Sequence, residues 1–529
     1  MAPRPSFDAF VSEYDAVGKV ERPKLCSRMV YVDVGIGIGT EHLYRQHLNT
    51  SNGGMDGTTG SRLSLPRTWS GRRCPRRIRE LLPMLDGVQD PAALPDLPSL
   101  PRTFSESSFL LTTHLVPAAL PRSSPDAALP DAPLPSADKD KRDATAIEAA
   151  NLVISMRQRQ WNGELPESNS IKPPWVCLNR YVRREIIGND ARKGVTLLLL
   201  PANGFPKESW EPMISHLVEA QRQSDFQPLV DEVWAWEAVN HGDAFLVNKQ
   251  DLGSIFDCRD NARDILQFML HYMPEHSSTS VLPTHLARLP DATARQRRLH
   301  GLRKRMVVGV GHSLGGCSIA RAAIDVPALF SSLILVEPAI VPHPCSGPVV
   351  DERAFPYIVN ALKRESIWPS RENARNVIRA STFFQTWDPE VFDNYVEYAL
   401  YEDRDGAIKL KTPPVQEALG FSDVLTMCET WDLLDELDER VELRFIVPGK
   451  QRQRSVHQWS KSRTLVHVLN VICREDGIRE MTVWRRPMNS SNIIFPSAGH
   501  LIVQETPREL GQEIQSFLQR KYGSSGSRL

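Results

Sequence analysis

The segment Met306-Val-Val-Gly-Val-Gly311-His312-Ser313-Leu314-Gly315-Gly316 runs from an apolar strand through a serine into an apolar helical stretch, Cys317 to Ala323. A serine hydroxyl becomes a nucleophile when a sharp strand-to-helix turn exposes it beside a general base. Such a turn leaves no room for bulk two residues to either side, which is what Gly311 and Gly315 provide. It also sets the hydroxyl at a helix N-terminus, where backbone N–H groups can receive a developing oxyanion. His312 reads as a packing residue of this turn.

The base is expected late in the chain. Ile493-Ile-Phe-Pro-Ser-Ala-Gly499-His500-Leu501 supplies a strand, small residues and a histidine just ahead of a capped helix, so His500 is the candidate. Of the 14 histidines, His457 is the nearest rival, but Gln-Arg-Gln-Arg-Ser-Val-His-Gln-Trp reads as a solvated helix. The acid that orients the imidazole usually follows the strand Leu443–Val447, yet no carboxylate occurs after it until Glu475 and Asp476. The preceding strand ends Leu333-Ile-Leu-Val-Glu337-Pro338, and Glu337 is assigned as the acid, with Asp476 or an acid between 341 and 440 as alternatives. For the oxyanion, Leu197-Leu-Leu-Leu-Pro-Ala-Asn203-Gly204-Phe205-Pro206 offers a loop after a buried strand, so the N–H groups of Phe205 and Leu314 are expected to converge. Asn240-His241-Gly242-Asp243 reads as a tight loop.

These residues need a scaffold, and from about residue 170 apolar strands alternate with amphipathic helices, the pattern of a mostly parallel sheet. Strands are expected at Trp175–Tyr181, Val195–Leu200, Val233–Val239, Arg305–Val310, Leu333–Val336, Leu443–Val447 and Ile493–Phe495. Trp210, Met213, Ile214 and Leu217 recur at helical spacing, as do Ile255, Cys258, Ala262, Ile265, Leu266 and Met269. Thr506-Pro507-Arg508-Glu509 predicts a capping box opening the last helix. Residues 341–440 break the alternation and read as an inserted helical lid that shapes an apolar pocket.

The 529 residues carry 63 Lys and Arg against 64 Asp and Glu, a formal net charge of -1, which disfavours a nucleic-acid binder. Arg72-Arg73-Cys74-Pro75-Arg76-Arg77 reads as a solvated run rather than a nucleic-acid patch. Eleven of the 40 prolines fall between 83 and 135, so residues 1–100 are expected to be a low-complexity, disordered extension ahead of a domain from 101 to 529. Within the extension, Tyr31-Val-Asp33-Val-Gly35-Ile-Gly37-Ile-Gly39 looks like a methyltransferase glycine motif, but no further strand-helix units follow it. The eight cysteines form no C-x-x-C pair, and no apolar run reaches a membrane span. The N-terminus lacks an apolar signal core, which argues against secretion and leaves the sequon at Asn489 unused. A flexible tail, residues 523–529, ends in Ser527-Arg528-Leu529, a variant of the Ser-Lys-Leu peroxisomal address read by an import receptor. Peroxisomal localisation is expected, with the cytoplasm as alternative.

From about residue 105 onward the chain resembles the α/β-hydrolase superfamily, and within it the fungal peroxisomal hydrolases of secondary metabolism, which include mycophenolic acid acyl-CoA hydrolase and host-selective toxin biosynthesis hydrolases. The resemblance is carried by Thr113-His-Leu-Val-Pro-Ala, Asn203-Gly-Phe-Pro-Lys-Glu-Ser-Trp, Asn240-His-Gly-Asp, Gly311-His-Ser-Leu-Gly-Gly, Leu335-Val-Glu-Pro, Thr386-Trp-Asp-Pro, Ala498-Gly-His-Leu and the terminal Ser-Arg-Leu. It implies an α/β-hydrolase fold and a triad of Ser313, an acid ending the sixth strand, and His500. Two departures stand out: Asn203-Gly204 where relatives commonly have His-Gly, and Glu337 where the acyl-CoA hydrolase has Asp.

The expected activity is therefore hydrolysis of an ester or thioester of a small-molecule substrate through an acyl-enzyme, with neither metal nor cofactor required. Address and resemblance together favour an acyl-CoA hydrolase. A general carboxylesterase or lipase is the alternative, and a binding protein that has lost catalysis the second.

Overall fold

A computed structural model describes residues 78–85, 94–123, 138–165, 172–186, 194–223, 230–342, 351–450 and 482–523. The chain divides into two units, 1–57 and 58–529, and the described residues all belong to the second. The glycine run at 31–39, the Arg72–Arg77 cluster, His457, Glu475, Asp476 and the terminal Ser527-Arg528-Leu529 lie outside them.

The strands are β1 (Phe109–Pro117), β2 (Trp175–Arg183), β3 (Gly194–Leu200), β4 (Val230–Glu237), β5 (Arg305–His312), β6 (Ser332–Val336), β10 (Glu442–Pro448) and β11 (Ser490–Phe495). They form one sheet in the order β1-β2-β4-β3-β5-β6-β10-β11. From β4 to β11 every pairing is parallel, and β1 and β2 are the antiparallel edge. This is the α/β-hydrolase fold the sequence resembles. The centre of the sheet reads as unbroken apolar runs because helices cover both faces, and β3 (Gly-Val-Thr-Leu-Leu-Leu-Leu) is buried throughout. One face packs Leu198, Leu200, Trp234, Trp236 and Leu333 on the helices Cys258–Gln267 and Leu314–Asp325. The other packs Leu197, Leu199, Val308 and Ile334 on the helices Glu211–Arg222 and Pro507–Tyr522.

Several expectations are corrected. The stretch before residue 101 is not wholly a detached extension: Leu81 and Met84 pack on the core, and Arg79 donates to Glu429 and Thr426. Its prolines exclude regular elements, but a coil can still lie in a groove if long-range side chains hold its backbone. The region between β6 and β10 is not purely helical. It carries a second sheet of β7 (Ile367–Trp368), β8 (Leu400–Glu402) and β9 (Ile408–Leu410) in the order β7-β9-β8, strands too short for a period-two pattern to register. Its last helix, Val424–Leu433, flanks the main sheet instead of the lid, since Trp431 joins the central core and Thr430 Oγ1 lies 3.5 Å from Cys317 Sγ. The capping box at Thr506 does not form. A short helix, Ile502–Glu505, ends immediately before it, and the Thr506 hydroxyl donates back to the Ile502 carbonyl; Pro507 still opens the final helix.

Candidate active site

β5 ends at His312, and Ser313 takes φ 52°, ψ −115° before the helix Leu314–Asp325 begins. A side chain at Gly311 would lie 2.6 Å from the Gly315 carbonyl oxygen, and one at Gly315 would lie 2.5 Å from that of Leu200. Glycine at both positions is therefore a steric requirement of the turn. The turn is pinned to the neighbouring strand: Ser313 N–H donates to Val336 O at 3.1 Å, and Ala339 N–H donates to Ser313 O at 2.8 Å.

His500 Nε2 lies 3.1 Å from Ser313 Oγ, within hydrogen-bonding distance and within reach for proton transfer. Burial holds this imidazole down to about 4, partly opposed by the Glu505 carboxylate, so it is neutral and able to accept a proton at neutral pH. His312 is wholly buried. Its Nε2–H donates to the His500 carbonyl at 2.9 Å, and burial, with the neighbouring His500, pushes it down to about 3. The residue read as packing thus also fixes the backbone of His500.

Glu337 follows β6, beside β5 as expected, with φ 38° and its N–H donating to Ile446 O at 2.8 Å. The structure brings Ser313 and His500 into contact but places no carboxylate within hydrogen-bonding distance of His500 among the described residues. The Glu337 side chain is half-buried, and desolvation raises its carboxyl to about 8.

On the oxyanion side, Leu314 N–H is the first of its helix and has no acceptor in the described protein. The expected second donor is engaged differently: Phe205 N–H closes a turn onto Ala202 O at 3.2 Å, because Gly204 at φ 85° reverses the chain there. Phe205 must share or release that long bond to serve. Asn203, which stands where relatives commonly have histidine, ties the loop to the lid by donating from Nδ2 to Glu417 O at 2.7 Å, while His241 Nε2 lies 3.1 Å from its Oδ1.

The lid meets this machinery directly. Leu314 packs with Ile358, Val359, Val415 and Ala418 of the lid helices Asp351–Leu362 and Pro414–Phe421. Phe205 meets Trp387 with tilted rings and Tyr395 edge to face, at centroid distances of 5.5 and 6.1 Å. A small pocket behind the turn is lined by Leu200, Ala202, Trp236, His241, Leu314 and Gly315. Beside it, Lys207 Nζ sits 3.1 Å from Glu237 and 2.8 Å from Asp243, and Lys411 Nζ of the lid sits 2.6 Å from Asp243. Cys177, Glu237 and Asp243 group as metal ligands would, but the Lys207 ammonium already supplies a cation to both carboxylates. Sequence reasoning assigned Asn240-His241-Gly242-Asp243 to a loop and missed this network. Glu505 escaped too, and its charge two residues past the apolar run Leu501-Ile-Val was the available signal.

Comparison with known proteins places this geometry in context. The model of the alpha/beta hydrolase family matches residues 197–513. The abhydrolase domain-containing protein AKT2 of Alternaria alternata is 33% identical over 40% of this chain and 83% of its own length. The type I acyl-CoA thioesterase mpaH of Penicillium brevicompactum is 28% identical over 56% of this chain and 61% of its own. Among solved structures, the peroxisomal α/β-hydrolase Lpx1 of Saccharomyces cerevisiae superimposes with a TM-score of 0.51 at 18% identity, covering 78% of this chain and 91% of that one, a likeness of fold.

Proposed function

This chain belongs to the alpha/beta hydrolase family, and on that premise we propose that it is a serine hydrolase acting on an acyl thioester, an acyl-CoA hydrolase of fungal secondary metabolism or toxin biosynthesis. The observation that carries the reading is the 3.1 Å approach of His500 Nε2 to Ser313 Oγ on a strained turn. His500 takes the hydroxyl proton as Oγ attacks the carbonyl carbon. The oxyanion is received by Leu314 N–H and, once its turn bond yields, Phe205 N–H, each donor worth about 3–4 kcal/mol. His500 returns the proton to the departing thiolate, then activates water to release the acid. Glu337 is read as the acid that stabilises the imidazolium: its carboxyl, raised to about 8 by desolvation, is neutral at pH 7 and becomes a counter-charge by giving its proton to solvent as the His500 cation forms. The thioester preference is supported by mpaH, a relative named as an acyl-CoA thioesterase, and the peroxisomal site by Ser527-Arg528-Leu529 and the likeness to Lpx1.

The test is fluorophosphonate labelling of the wild type and S313A, followed by an acyl-CoA panel read by free-thiol release. Labelling confined to the wild type and CoA release are expected. An unlabelled wild type refutes the serine mechanism, and ester cleavage without CoA release replaces the thioesterase by a carboxylesterase. For the address, import into peroxisomes that survives loss of the last three residues refutes the tripeptide reading.

A further inference from the structure

We propose that Glu505 and Lys450 form a charge clamp that positions the His500 loop and sets its protonation, a role that rests on the serine-hydrolase reading above. The Glu505 carboxylate, 9% exposed, accepts from Gly499 N–H at 2.9 Å and lies 3.2 Å from the half-exposed Lys450 ammonium. Lys450 N–H in turn donates to Ala498 O at 3.0 Å, and Gly449 N–H to Phe495 O at 2.8 Å. The residues on either side of the base are thus held from the end of β10 and from the helix Ile502–Glu505, whose last N–H bonds Leu501 O. The fit is close: a side chain at Gly499 would lie 2.9 Å from Glu505 Oε1.

β10 is the strand after which an orienting acid was expected from sequence. It carries a lysine there instead, and the carboxylate reaches that corner from the opposite side. Because His500 Nδ1 has no carboxylate within hydrogen-bonding distance among the described residues, its ring depends on the loop for orientation. The ionisable groups around the base are Glu505 with Lys450, Glu337 from the end of β6, and neutral His312 from the nucleophile turn. The lid reaches this helix through Asp388 N–H donating to Gln504 O, while the Asp388 carboxylate caps its own helix. Glu505 favours the imidazolium against burial, and the Lys450 ammonium, 3.2 Å from the Glu505 carboxylate, bears the opposite charge.

The two partners therefore act in opposite directions, which a purely structural role would not produce. The experiment follows the pH dependence of fluorophosphonate inactivation and of ester kcat/KM for wild type, E505Q and K450M. E505Q keeps an acceptor for Gly499 but loses the charge, so its acid limb is expected about 0.5 pH unit lower; K450M is expected about 0.5 unit higher. Limbs that coincide with the wild type in both variants overturn the clamp while labelling upholds the serine mechanism. A wild type that does not label fails the mechanism itself, and the clamp is then decided by NMR titration of the His500 imidazole. Opposite shifts in the two variants support it and unchanged titration overturns it.

Discussion

Replacing Glu337 by glutamine (E337Q) keeps the shape of the side chain and removes its charge. In the folded protein the carboxyl is raised to about 8 by desolvation, whereas in the unfolded chain it titrates near 4.5. The folded state therefore holds the proton more tightly. No penalty exists below pH 4.5; it grows as pH rises through 4.5 and is complete above 8. At about 1.4 kcal/mol per pH unit the ceiling is about 5 kcal/mol, and because the side chain is half-buried, water screens it to about 2 kcal/mol. E337Q should accordingly match the wild type in urea midpoint at pH 5 and exceed it progressively at pH 7 and 9. Its turnover should fall by about 10²–10⁴-fold, since glutamine cannot ionise to become the imidazolium's counter-charge. A stability difference that is flat with pH, or a variant less stable than wild type at pH 9, refutes the desolvation argument. The stability pattern with normal turnover refutes the catalytic assignment alone.

Other perturbations test the scaffold. Gly315→Ala drives a methyl group onto the Leu200 backbone, 2.5 Å from its carbonyl oxygen, and should cost about 2–3 kcal/mol in urea unfolding along with most fluorophosphonate labelling. Lys411→Met leaves Asp243 with one cation instead of two; a loss of about 3 kcal/mol and faster hydrogen exchange over 400–413 are expected, and unchanged exchange would show the contact to be idle. Arg79→Ala strands the buried Glu429 carboxylate and should lower stability by about 2–4 kcal/mol, whereas no change would return residues 78–85 to a detached extension.

The turn at Ser313 and the place of His500 beside it were legible because their constraints are local. Ser313 needs glycines at fixed offsets, and His500 follows its strand within a few residues. The parallel sheet was legible because burial on both faces turns β3 and β5 into continuous apolar runs. What escaped depends on partners far apart in sequence. Arg79 finds Glu429 across 350 residues, and nothing in a proline-rich stretch marks one arginine as buried against acid. Glu505 bonds Gly499 only six residues away, but the carboxylate's role depends on Lys450, 55 residues earlier, just past the end of β10. Glu337 stands at the end of β6, where the sequence puts it, while direct contact with His500 depends on side-chain rotamers that no sequence pattern encodes.

Ala202 and Phe205 of the loop after β3, and Leu501 beside His500, belong to the same hydrophobic cluster as Trp387, Phe392, Tyr395 and Leu410 of the insertion between β6 and β10. A cover that shares its core with the chemistry cannot swing away as an independent door, nor be exchanged as a cassette. On the proposed mechanism, substitutions in this insertion would register in the rate of the chemical step as well as in recognition. In this lineage, changes of specificity would tend to arrive with compensating changes at positions 202–205 and 501.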